Sequence, residues 1–503
     1  MGLHHRVRPP VSPSAIFSIS DKVTKCFSSS SYIYNKLMGQ VPTSIPSEGL
    51  TTGDLFLGRP HAPDRSDRQA ERPIPSRLGH GLNLSTMNTL SLGNWLTSLP
   101  DTNSGRKDEF EEGRDSKKPE PRSKISEVEL AELDDLDTGG CIERPSSGIR
   151  PRIQTGSPMS LETARHLKLI MFGEPGEQNH KFSPGWIGQA FMFSTHRDLS
   201  FGLVQHKGGP CGVLAAVQAR LVKVLLFGSK IFAISKALDP LRPTPAERTT
   251  ALAAALGEIL SLCSPSTSFI VALPSMTRHL SSAGRFRTDG VTETLVTHSL
   301  NSPTALLSFL KDNIGFFSGS GNSAVIAFTY AAILTRGLET VKNDMDTEKS
   351  TIMGAHGYCS QEVVNLMLTG QATSNVFDNN IDLSSGEDQT ILKGIHKTCD
   401  IGLLSLFEHY QSCRVGDRLK NPAYPIWVVC SESHFTVLFS EELDLTSAFL
   451  ELHYYDGLAR QDAPIRLTVH PGQEGRGGGP LELTIRTKWA GANIDWNGSE
   501  PIL

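Results

Sequence analysis

A cysteine that follows Gly-Gly-Pro and begins a long apolar run is a place where a chain can make sulfur nucleophilic. Cys211 stands there, after Gly208, Gly209 and Pro210 and at the head of CGVLAAVQARLVKVLLF. The glycines permit a tight turn and proline's fixed φ suits a first helical position, so the spacing predicts a helix with Cys211 in its first turn. Unpaired amides and the positive end of the dipole at such a terminus favour a thiolate. A thiolate needs a base, and His434, in PIWVVCSESHFTVLF, has a side chain that takes a proton near neutrality and returns it to a leaving group. Gln205, six residues before Cys211, carries an amide NH₂ that can face the oxygen turned negative when sulfur attacks a carbonyl. Asp456, in YYDGL, either holds the imidazole in one tautomer or is a turn aspartate before Gly457. Each has a plainer reading when taken alone: a buried cysteine in a glycine-flanked helix start, a half-exposed strand histidine, a polar loop glutamine.

The elements that must position these residues are legible around them. Leu214, Val217, Leu221, Val224 and Leu225 recur at helical spacing, which anchors the Cys211 helix in a core. Two β-branched and aromatic runs flank Ser431-Glu432-Ser433, the mark of neighbouring strands with a short connection, and His434 opens the second. A cysteine on a helix N-terminus and a histidine on a strand 434 − 211 = 223 positions later is the arrangement of papain-like cysteine hydrolases. The fold class expected is therefore α+β, with the Cys211 helix packed on a mainly antiparallel sheet that carries His434. Further helices are expected after Ser157-Pro158 or Ser160, over 249–263, over 304–313 behind Ser302-Pro303, and at 324–334. Strands are expected at 269–272, 426–429, 435–439, 450–455, 465–469 and 481–487. Glycine-rich stretches at 318–322 and 472–480 read as loops; the first lacks the third glycine and the acidic partner of a nucleotide fold.

Composition sets bounds. Residues 101–130 carry 7 basic and 9 acidic residues, and serine runs and proline patches fill the rest of 1–156, so this third is expected to be a disordered arm. Within it 127–136 (EVELAELDDL) reads as a solvated linker or one short acidic helix. Residues 157–503 are expected to form one catalytic domain, a monomer. A net charge of −5 with no long basic stripe argues against a nucleic-acid surface. Eight scattered cysteines without a CxxC pair match neither a disulfide framework nor a zinc site, and His356 with Cys359 lacks a partnering pair, so neither metal nor cofactor is expected. A reducing cytoplasm, or the nucleus, fits this cysteine usage. No apolar run in the chain is long enough to span a bilayer, and the amino end has no hydrophobic signal region, so no membrane association is expected.

Five segments carry a resemblance: QHKGGPCGVLAAVQ, FSPGWIGQAFMFS, GAHGYCSQEVVNLMLTGQATSNVFD, PIWVVCSESHFTVLFS and YYDGLARQ, with the terminal IRTKWAGANIDWNGSEPIL. Together they resemble the MINDY family of deubiquitinases, nearest to its fourth branch, over roughly 157–503. The resemblance implies Cys211 as nucleophile, His434 as general base and Gln205 in the oxyanion hole. It further implies a thiol isopeptidase acting on polyubiquitin, with the family's preference for long lysine-48-linked chains. Some members of that branch have lost catalytic residues, so the alternative is a ubiquitin-chain-binding scaffold of little or no activity; this chain retains all three positions.

Overall fold

The computed structural model describes residues 156–175, 181–384, 390–459, 461–475 and 477–499. These belong to one of the two compact units into which the chain divides. The expected arm, its acidic segment at 127–136, and Cys26 and Cys141 lie outside the described residues.

In chain order the main helices are α1 (Leu161–Phe172), α2 (Cys211–Phe227), α3 (Pro245–Cys263), α4 (Pro303–Asp312), α5 (Ala324–Arg336), α6 (Gln361–Thr369) and α7 (Pro480–Arg486). The strands are β1 (Ser157–Pro158), β2 (Met192–Phe193), β3 (Leu203–Val204), β4 (Phe269–Pro274), β5 (Leu295–Leu300), β6 (Ile381–Asp382), β7 (Ile391–Leu392), β8 (Gly402–Ser405), β9 (Ile426–Ser431), β10 (His434–Phe439), β11 (Leu450–Tyr455), β12 (Ile465–Glu474) and β13 (Ala492–Asp495).

A six-stranded sheet in the order β13-β12-β11-β10-β9-β8 organises the molecule. All its pairs are antiparallel except β8 with β9. Both faces are covered, which is why β9 reads as an unbroken apolar run rather than an alternating one. On one face Val428, Cys430, Phe435, Val437 and Phe439 join the main core around α2. On the other, Trp427, Val429, Leu438, Leu452 and Tyr454 pack with Leu481 and Ile485 of α7. Helix α2 is buried from Cys211 to Leu226 because α3, α6 and the sheet surround it. Each large aliphatic side chain so enclosed contributes ~1.5–3 kcal/mol of transfer free energy. A second sheet, β1-β5-β4, is backed by α5.

Several boundaries differ from expectation for identifiable reasons. Residues 481–487 form a helix, not a strand. Pro480 occupies its first turn, Glu482 and Arg486 pair at i,i+4, and Leu481 with Ile485 bury one helical face. Helix α3 begins at Pro245, because Thr244 and Glu247 close a reciprocal capping box ahead of the alanine-rich run. Ser160 caps α1, while Ser157 and Pro158 pair with β5 as strand. The glycine-rich 472–480 is not all loop: β12 continues to Glu474 through a register shift after His470. Among the described residues no single helix is long and apolar enough to cross a membrane.

Candidate active site

Cys211 is the first residue of α2, and Pro210, at φ −85° and ψ 16°, is the cap before it. Because that ψ is not helical, the helix starts with the cysteine, one residue later than a proline at the first helical position would give. Gly209 makes the turn. Its φ of +128° is rarely adopted by residues with a side chain, and a Cβ there would meet the indole of Trp186 at 3.1 Å. Only glycine, without a Cβ, takes such a backbone conformation readily. Trp186 is itself fixed by its Nε1 donating to Gly357 O at 2.7 Å.

His434 is the first residue of β10, opposite Ser431 across a two-residue connection of Glu432 and Ser433. Glu432 takes a φ of 54°. That left-handed conformation is one glutamate seldom adopts outside tight turns. The hairpin tip lies over the start of α2: the Cys211 thiol donates to Ser433 O at 3.6 Å. The thiol also lies within hydrogen-bonding reach of the His434 ring. Nε2 of the ring faces Asp456 at 3.0 Å to Oδ1 and 2.9 Å to Oδ2. Burial alone would lower the imidazole's pKa. Hydrogen bonds to Asp456 and to Cys211, with the charges of both, outweigh it and raise the value to about 10.

Asp456 proves to be both things its sequence context allowed. Oδ1 accepts the backbone N–H of Leu458 at 2.8 Å. It also accepts the backbone N–H of Ala459 at 3.3 Å. Both are bonds that a turn aspartate makes. The same carboxylate holds the imidazole, and it is 3 % exposed. Its backbone N–H is held in turn by Gln461 Oε1 at 3.1 Å.

Gln205 and Cys211 line one small cavity with Leu214, Gln218, Phe435 and Tyr455. The Gln205 amide nitrogen donates to Lys207 O at 2.7 Å in this state, so it is turned along its own loop rather than into open space. Its backbone N–H donates to Gly457 O at 2.9 Å, which ties the glutamine to the residue after Asp456. All four residues singled out in the sequence thus meet at one place.

Three supports were invisible in the sequence. Gln218, further along α2 from Cys211, accepts Leu203 N at 2.5 Å and donates to Phe201 O at 3.1 Å. Gln189 donates to Val204 O at 3.1 Å and accepts His206 N at 3.0 Å. Tyr455 OH donates to Leu203 O at 3.1 Å. They pin the strand before Gln205 to α2 and to the strand before Asp456. The one available signal was a glutamine inside the otherwise apolar stretch of α2, which a buried position would force to find partners. Among the described residues no group of three or more metal-ligating side chains converges.

A family model described as the conserved domain of deubiquitinating enzyme MINDY-3/4 matches residues 168–498. The chain belongs to the MINDY-3/4 family. It is 46% identical over 382 residues to a Bos taurus protein named "Probable ubiquitin carboxyl-terminal hydrolase MINDY-4", covering 74% of this chain and 49% of that one. The Homo sapiens protein of the same name is 46% identical over 367 residues, 70% of this chain and 47% of its own. "Ubiquitin carboxyl-terminal hydrolase MINDY-3" of Xenopus tropicalis is 33% identical over 284 residues, 52% of this chain and 60% of that protein. The chain spans about half the length of the MINDY-4 proteins it matches. No solved structure matches it. The matched MINDY-3/4 region contains all four site residues.

Proposed function

We propose that this chain is a thiol-dependent deubiquitinase that hydrolyses isopeptide bonds in polyubiquitin by a papain-like mechanism and prefers lysine-48-linked chains. The observation that carries the reading is one imidazole held between two partners. His434 Nε2 sits 2.9 Å from a buried carboxylate while the thiol at a helix N-terminus reaches the same ring.

Cys211 gives its proton to His434 and attacks the carbonyl of ubiquitin's C-terminal glycine. Asp456 holds the imidazolium so formed. The oxyanion is met by the Gln205 amide, once turned from Lys207 O, and by the backbone N–H of Cys211. His434 then protonates the departing lysine amine, and a water activated by the same ring releases the thioester. The names of the MINDY-4 and MINDY-3 relatives support the substrate class; the linkage preference comes from the family resemblance. We place catalysis in residues 157–503, outside the 1–156 arm, acting as a monomer in cytoplasm or nucleus.

A second reading, a chain-binding scaffold of little activity, has its own support. Cys211 is 2 % exposed, its thiol is engaged by Ser433 O, and the oxyanion donor is spent on Lys207 O. Ubiquitin carrying a thiol-reactive C-terminal group separates the two. Covalent capture at Cys211 of the full chain, with lysine-48-linked tetraubiquitin cut faster than lysine-63-linked, is the expected result. Binding of tetraubiquitin without capture or cleavage would leave the scaffold.

A further inference from the structure

A second thiol lies against the start of α2. Cys359 donates its backbone N–H to Gly209 O at 3.2 Å, so its segment is tied to the turn before the nucleophile. A Cβ at Gly212 would come within 2.9 Å of Cys359 Cβ and 3.2 Å of its Sγ. The absence of a side chain beside Cys211 is what admits this sulfur. The amides of Gly212 and Val213 favour its ionisation, against burial and the charge of Cys211. The second sulfur thus lies against the unpaired donors of the helix terminus that Cys211 begins. Cys359 is 4 % exposed. Cys430, the other thiol on which Cys211's charge acts, is turned into its own hairpin, with Sγ donating to Glu432 O at 3.7 Å.

We infer that Cys359 is a resolving thiol for Cys211, closing a reversible disulfide with it when a peroxide oxidises the nucleophile. This rests on the reading of Cys211 as the reactive sulfur of the site. In the first step the Cys211 thiolate attacks one oxygen of hydrogen peroxide. An S–O bond forms, the O–O bond breaks, and hydroxide leaves to become water, with Cys211 now a sulfenic acid. In the second, the Cys359 sulfur attacks the Cys211 sulfur; the S–S bond forms, the S–O bond breaks, and the departing hydroxide takes the Cys359 proton as a second water. Two thiols are oxidised and one peroxide is reduced.

The site suits both steps. Burial and the charge of Cys211 hold the Cys359 thiol protonated at rest, whereas the Gly212 and Val213 amides favour its ionisation. Oxidation to a neutral sulfenic acid removes the opposing charge, while burial, the larger cause, and the amides remain. A disulfide needs the two Cα atoms within ~4.4–6.8 Å, and both thiols sit on glycine turns that can supply the adjustment. Gly208 and Gly209 precede Cys211; Gly354 and Gly357, the latter at φ +79°, precede Cys359. The bond would block the nucleophile and keep it from the irreversible sulfinic acid.

The test treats the full chain with hydrogen peroxide, digests it with trypsin without reductant, and maps the products by mass spectrometry. The expected product joins peptide 208–220 to peptide 350–393 and is lost on reduction. Capture of the thiol-reactive ubiquitin should fall on oxidation and return with dithiothreitol. Cys359→Ala should be captured normally before peroxide, and after peroxide and dithiothreitol should regain roughly tenfold less than the unaltered chain, its Cys211 found as sulfinic acid. A Cys211–Cys430 linkage, sulfinic Cys211 beside a free Cys359 in the unaltered chain, or equal recovery by Cys359→Ala would each overturn the inference. Normal capture of the untreated chain with any of those results leaves the proposed enzyme standing; no capture and no oxidation at Cys211 removes both.

Discussion

Two clusters of buried ionisable groups touch helix α2. At its first residue are Cys211, His434 and Asp456. Further along, Arg220 and Lys223 converge on Glu258 of α3, at 3.4 Å and 2.8 Å, and Arg220 reaches Asp400 at 2.6 Å. Burial is similar: Asp456 is 3 % exposed and Glu258 1 %. What differs is where the protons are. In the second cluster every carboxylate faces an arginine or a lysine and is paired by opposite charge. In the first, one imidazole stands between a carboxylate and a thiol, and a single proton has two places to reside. Paired buried charge marks a braced helix as readily as a site; a titratable group left between unlike partners distinguishes the site.

The contrast is broken most sharply by Cys211→Ala. It should abolish ubiquitin-probe capture and chain cleavage while the thermal midpoint stays close to that of the unaltered chain, because one sulfur is lost and the helix is not. Glu258→Ala should do the reverse. It strands the buried Lys223 cation while Arg220 keeps Asp400, a loss of ~3–5 kcal/mol in urea unfolding, with the pH profile of any surviving activity unchanged. Gln205→Ala removes one oxyanion donor and should lower kcat by ~10²–10³ with KM little changed in steady-state cleavage. Asp456→Asn keeps an acceptor for the ring but removes the charge. His434's folded pKa of about 10 lies above its ordinary 6.5. Stability from the protonated ring is therefore full below about 6.5 and lost as pH rises through about 10. The variant should flatten that slope, Cys211 still raising the ring's pKa, and the alkaline limb of kcat/KM should move down from about 10.

The smallest effect concerns a neighbour of the site. Burial raises the Glu362 carboxyl at the start of α6 to about 7, both its oxygens being enclosed without a hydrogen-bond partner. Its stabilising form is the protonated one, present below its ordinary 4.5 and lost as pH rises through about 7. Glu362→Gln should therefore lose less of its urea midpoint between pH 5 and pH 8 than the unaltered chain. An equal loss in both would discard the assignment.

The sequence was most readable where local chemistry and burial agree. The hairpin bearing His434, the helix bearing Cys211, and strands β9 to β11 follow from β-branched runs and glycine-proline punctuation. Residues 481–487 misled because LELTIRT satisfies a period of two over its first residues as well as a helical one. Only the partners of Leu481 and Ile485 decide between them. Asp456 was ambiguous because a carboxylate has acceptors enough for a turn and an imidazole at once. Gln189, Gln218 and Cys359 were not legible, since what they do depends on segments far away in the chain. No local pattern encodes that the Cys359 N–H meets Gly209 O, 359 − 209 = 150 positions earlier.

The central position of β10 in its sheet has a consequence for how the molecule is made. A chain emerging from the ribosome exposes Cys211 long before His434 and Asp456 exist, and β10 becomes an interior strand only when β11 has followed it. Closing a loop of that length costs entropy that local turns do not. During synthesis the cysteine is thus an ordinary side chain without a base. The pairing of Cys211 with His434 and Asp456 arrives late, together with the sheet, so a nascent chain that stops before residue 434 would lack the base that the proposed reaction needs.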